Sequence, residues 1–128
     1  MRKTSLSAAE RQIIESLLVT EYGPDSGFLR QLAGARVDRR RRTGVGIFVD
    51  LSVLQSTPRV DRINAELSAG YRTSLPAPAD LVGCTLFIRD GALSFLEGYS
   101  YGDAAWPAEP MENWLIVDPI AVSHQKAK

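Results

Sequence analysis

Glu97, Tyr99, Tyr101, Asp103 and Trp106 crowd into one short stretch of a 128-residue chain, and they are the residues whose types could do chemistry. A carboxylate set among aromatic rings loses water, its pKa rises, and it can then serve as a general acid or base near neutrality. The same set also describes a binding surface, since tyrosine and tryptophan offer large contact area with polar tips and Glu97 supplies a charged anchor. A structural role competes with both. In that role Glu97 pairs with an arginine of the Arg36–Arg42 run or bonds to Tyr99 or Tyr101, and the rings close the open end of the core.

Other chemistries lack their residues. A single cysteine, Cys84, gives no internal disulfide and no cysteine-rich zinc pattern, and a single histidine, His124, gives no histidine cluster. No metal or cofactor is therefore expected. Cys84 lies in an apolar segment far in sequence from His124, so it reads as a small buried hydrophobe rather than a nucleophile. Gly44-Val45-Gly46 lacks the third glycine and the following helix of a dinucleotide loop, and it reads as a turn.

Charge is the next constraint. Fifteen basic and fifteen acidic residues cancel, yet residues 1–62 carry eleven Lys/Arg against seven Asp/Glu, and residues 63–128 carry four against eight. These opposite halves are expected to face each other in the fold or across a dimer. Arg36, Arg39, Arg40, Arg41 and Arg42 could track a phosphate backbone. A strand would divide them between two faces, and the chain has neither net positive charge nor a recognition-helix signature, so nucleic acid is disfavoured as a partner. The basic start Met1-Arg2-Lys3 is not followed by an apolar leader, and no run reaches membrane-spanning length. The expectation is a cytoplasmic protein that does not enter a membrane.

The elements that must position these residues are legible in outline. Ser7-Ala8-Ala9-Glu10 is a capping box, and Ile13, Ile14, Leu17 and Leu18 then form one apolar stripe, with Glu10, Arg11, Gln12 and Glu15 on the wet side. Gly23-Pro24 ends that helix, and a shorter one runs through Phe28, Leu29 and Leu32, capped by Asp25 or Ser26. Beyond Gly34 the period becomes two, with Val37, Arg39 and Arg41 on one side and Asp38, Arg40 and Arg42 on the other, as in an edge strand. Ile47–Leu51 reads as a central strand beside it, Arg62–Leu67 as a weaker strand, and residues 70–80 as a connector. Asp90-Gly91 between apolar runs signals a two-residue hairpin turn. That turn pairs Leu86 with Phe95 and Cys84 with Glu97, which puts Glu97, Tyr99 and Tyr101 on the core-facing parity and Phe87 and Leu96 on the other. Residues 114–117 read as a last short strand and residues 123–128 as a polar tail.

Together the segments predict one α+β domain spanning residues 1–128, with an ordered core over about residues 7–117. Two N-terminal helices pack on one face of a largely antiparallel sheet of about five strands. Phe87 and Leu96 would leave apolar area on the second face, which suggests cover from a homodimer mate. The segments TGVGIFVDL (43–51), LFIRDG (86–91) and LEGYSYG (96–102) with Trp106-Pro107 resemble a group of small uncharacterised bacterial proteins. That resemblance implies a single helix-then-sheet domain and brings no activity or functional residue with it. The leading expectation for function is a non-enzymatic module that binds a protein or small molecule through Glu97, Tyr99, Tyr101, Asp103 and Trp106. An enzyme with Glu97 as general acid or base is the alternative, and nucleic-acid binding through Arg36–Arg42 ranks below both.

Overall fold

The computed structural model describes residues 3–102, 104–114 and 116–125. Two helices, α1 (Ala8–Tyr22) and α2 (Gly27–Gly34), precede six strands: β1 (Arg36–Arg42), β2 (Gly46–Ser52), β3 (Ala65–Thr73), β4 (Leu81–Arg89), β5 (Ala92–Ser100) and β6 (Ile116–Gln125). The strands form one antiparallel sheet in the order β1-β2-β5-β4-β3-β6. Both helices lie on one face. The expected α+β architecture is present, with β6 as the sixth strand.

The capping box forms as its residue types require, with the Ser7 amide donating to Glu10 Oε1 (2.8 Å) and the Glu10 amide to Ser7 Oγ (3.1 Å). Ile13, Ile14, Leu17 and Leu18 are buried in one core cluster with Val49, Leu67, Leu86, Ile88 and Leu96 of the sheet. Glu10 departs from the expected wet side, because its side chain is fully buried. Arg40, thirty positions away, compensates the charge with two bonds of 2.8 Å and so ties the first turn of α1 to β1.

Two strands differ from their expected limits. β3 continues through Tyr71 to Thr73, beyond Leu67, because β4 and β6 pair with it on both sides, so the connector is confined to residues 74–80. Likewise Ser123–Gln125, expected in a loose tail, pairs with β3 as part of β6, and residues 126–128 lie outside the described residues.

Gln31 of α2 fastens the hairpin. Fully buried, it donates to the carbonyls of Pro58 (3.1 Å) and Gly91 (2.8 Å) and accepts from the Leu93 amide (3.0 Å), which satisfies backbone groups that the turn leaves over. Asp90 and Gly91 both have positive φ, 54° and 79°, the geometry of a type I′ turn.

The Arg40–Glu10 pair is the buried ion pair to test. Arg40→Met keeps the aliphatic stem but strands the Glu10 carboxylate, and it is expected to cost about 3 kcal/mol. Arg41→Met, which removes an exposed pair, should cost less than about 1 kcal/mol. Urea midpoints compare the two, and equal losses would show that the buried pair has no special weight.

Candidate functional site

The hairpin register decides which side chains share a face. Arg89 opposes Ala92 and Ile88 opposes Leu93 as the two-residue turn dictates, but Phe87 then opposes Phe95, Leu86 opposes Leu96 and Thr85 opposes Glu97. Ser94 is an extra residue, a β-bulge, and every position beyond it changes face. The expected pairs Leu86–Phe95 and Cys84–Glu97 are therefore corrected. Leu96 joins Cys84, Leu86, Ile88 and Leu93 in the core, while Phe95, Glu97 and Tyr99 move to the face without helices. A second bulge at Asp38 does the same to the arginine strand. It sends Arg40 and Arg42 with Val37 to the helix side and Arg39 and Arg41 to the open side.

On the open face the residues form transverse rows. One row reads Arg41, Phe48, Glu97, Thr85, Ser68 across β1, β2, β5, β4 and β3, and the next reads Arg39, Asp50, Phe95, Phe87, Glu66. The rings of Phe87 and Phe95 are stacked at 4.2 Å, and Phe48 meets Phe95 edge-on at 5.9 Å. Arg41 lies over Phe48 and Arg89 over Phe87, at 5.0 and 5.2 Å from the ring centres, so cations border the patch at both ends. The Ser68 and Thr85 hydroxyls bond to each other at 2.7 Å.

Glu97 is half-buried, and neither an ion pair nor a hydrogen bond holds its carboxylate among the described residues. The expected partners are taken elsewhere. Asp50 accepts from Arg39 (3.3 Å) and Arg41 (2.9 Å), Arg40 holds Glu10, and Arg42 donates to the Pro107 carbonyl. The acids that meet the arginine run, Glu10 and Asp50, belong to the basic half of the chain, so the two halves do not neutralise each other there. Loss of hydration raises the Glu97 pKa, and the nearby Glu66 carboxylate adds to the rise. Asp50 moves the opposite way, its pKa lowered chiefly by the hydrogen bond from Arg41.

The five sequence-selected residues do not converge. Tyr99 and Tyr101 stay with Glu97 on the open side, ring to ring at 6.0 Å, and Tyr99 lies across Gly83, where a Cβ would come within 2.2 Å of the ring. Trp106 goes to the helix side. It is buried on Gly98, where a Cβ would meet its ring at 2.6 Å, and packs at 5.3 Å against Trp114, whose indole donates to the Glu109 carbonyl. Trp106 thus closes the core. Asp103 lies outside the described residues. Phe48 and Phe95 are the members the sequence reading left out of this face, Phe95 because the unbulged register assigned it to the core parity and Phe48 because its strand was given no facing, whereas Phe87 stands on the open side as its parity implied.

Cys84 is fully buried, and burial pushes its thiol up to about 12, which leaves no thiolate for nucleophilic chemistry. Among the described residues no three His, Cys, Asp or Glu side chains gather to hold a metal. Hollows of about 350 Å³ beside Lys3, Asp38, Arg39 and Asp50, and of about 230 Å³ beside Arg40, Arg42 and Met111, do not include Glu97. The chain matches no protein-family model, no curated protein and no solved structure.

A raised carboxylate pKa means that the ionised form is the costly one in the folded chain. The penalty from Glu97 is present at neutral pH, shrinks as pH falls through the folded pKa, and is gone below the unfolded value of about 4.3. Glu97→Gln should therefore melt slightly higher than the wild type at pH 7 in dilute solution, with the difference vanishing near pH 4. A lower melting temperature at pH 7 would mean that an attractive partner holds the carboxylate.

Proposed function

We propose that the protein is a cytoplasmic, non-enzymatic interaction module whose working surface is the helix-free face of the sheet. The observation that carries this reading is the aromatic row of Phe48, Phe95 and Phe87, which no layer of the described residues covers, set beside Glu97, which has no partner among those residues. Half-buried rings with charged residues at their margins are the usual make-up of a protein-binding patch, in which aromatic anchors supply area and charges set register. Glu97 and Tyr99 contribute from the neighbouring row positions, and Tyr101, exposed beyond them, extends the patch.

The enzymatic alternative asks for a second titratable group facing Glu97 in a closed pocket. Glu66 is the carboxylate that bears on Glu97, and both stand on an open sheet face, which favours binding over acid–base chemistry. Nucleic-acid binding through the arginine strand is weakened by the engagement of Arg39, Arg40 and Arg41 with Asp50 and Glu10. Among the described residues no helix is long and apolar enough to cross a membrane. We place the chain with the small bacterial proteins it resembles. The shared segments coincide with β2, the hairpin turn and the β5–Trp106 contact, so on this reading they maintain a fold rather than a reaction.

A photo-crosslinking residue at position 95 should give a discrete adduct in cell lysate, whereas the same residue at position 21, exposed at the far end of α1, should not. Equal labelling from the two positions would remove the open face as the working surface.

A further inference from the structure

The open face carries a charge imbalance that the described residues of one chain do not correct. Asp50 is a single carboxylate shared by two guanidinium groups, Arg39 at 3.3 Å and Arg41 at 2.9 Å, which leaves one positive charge in excess on that side of the sheet. Two strands away in the same row, Glu97 leaves one negative charge in excess, and Phe48 stands between Arg41 and Glu97. An apolar partner covering this row would strip water from both charges and offer neither a counter-charge, which is strongly unfavourable. The surface that avoids the cost presents a carboxylate opposite Arg41, an aromatic ring opposite Phe48 and a guanidinium opposite Glu97. The face itself, rotated by a half-turn, is such a surface.

We infer that a second copy of this chain packs on the open face through a two-fold axis that runs along β2 over Phe48, so that Arg41 of each copy reaches Glu97 of the other. The inference rests on reading this face as an interaction surface and names its occupant. A half-turn about an axis parallel to β2 exchanges the positions of β1 and β5 while keeping height along the strands. Because Arg41, Phe48 and Glu97 share a row, Arg41 meets the opposing carboxylate, and Phe48 meets its own counterpart. Arg39, one row on, arrives over the opposing Phe95, a cation above a ring, because Arg39, Asp50 and Phe95 also share a row. Asp50, on the axis, meets the opposing Asp50, each carboxylate held between Arg39 and Arg41 of its own chain. Stacked sheets stand about 10 Å apart, a gap that an arginine and a glutamate reaching from opposite sides can span. The contact is isologous, so each charge exchange occurs twice.

Sedimentation of purified protein at tens of micromolar tests it against the chain mass of 14.0 kDa. The wild type should sediment at twice that mass, and Glu97→Lys or Arg41→Glu alone should weaken association at least about a hundredfold, since each places like charges together at both junctions. Mixing the two variants should restore pairing, because the mixed pair has a complementary charge at each junction. That rescue also shows that neither variant is merely unfolded. A wild type that remains at 14.0 kDa overturns the inference, as does a dimer indifferent to both reversals. The position-95 adduct separates the two levels. An adduct with another protein, from a chain monomeric on its own, sinks self-pairing and leaves the interaction reading standing, whereas no adduct at all sinks both.

Discussion

Ser94 is one residue more than β4 can pair, and the composition of both sheet faces depends on it. The turn before it is immobilised, because Gln31 bonds the Gly91 carbonyl and the Leu93 amide, the Gly91 amide donates to the Ile63 carbonyl, and Asn64 accepts from the Asp90 amide. With the turn fixed, an unbulged β5 would send Phe95, Glu97 and Tyr99 under the helices. Burying an unpaired carboxylate there costs several kcal/mol, whereas exchanging Phe95 for Leu96 in the core changes little by comparison. The bulge resolves the conflict in favour of Leu96. It also turns Gly98 toward the helix side, and the Trp106 ring lies on that glycine, so the lower end of the core closes only because Glu97 points away.

The two faces use the same residue types for different ends. Under α1, one glutamate and one arginine are fitted to each other and to a helix cap, so neither is available to anything outside the fold. On the open side the ratio is two arginines to one aspartate, with a glutamate left over two strands away. Ion pairs on the helix side hold the layers together. Those on the open side leave a surface with a pattern, positive at one margin and negative near the middle, which selects its partner by register more than by affinity.

How far these features were legible in the sequence depended on the range of the interaction behind them. Local signals held: Ser7 with Glu10 for the start of α1, Asp90-Gly91 for the turn, and Ile47–Leu51 for a strand beside the arginines. Bulges were not legible, because Phe95 and Leu96 are both apolar and a period of two accepts either as the buried one. A single extra residue at Asp38 or Ser94 leaves no compositional mark. Glu10 looked like a solvated helix residue because its partner is thirty positions on, and β3 looked short because Gly70 reads as a break until β4 and β6 are seen on its two sides. Trp106 was grouped with Glu97 by closeness in sequence, yet the sheet lies between them.

At the margin of the sheet, Thr4 exchanges backbone bonds with Val37, and the bulge at Asp38 breaks the regular ladder just beyond that point. Four consecutive arginines follow along the same strand. An incoming strand would find part of its hydrogen-bonding positions filled, the rest out of step, and a row of like charges in the way. Linear growth of sheets, each chain adding its last strand to the first strand of the next, needs that margin open in every molecule. With that margin obstructed, head-to-tail addition of one chain's β6 to the next chain's β1 is disfavoured.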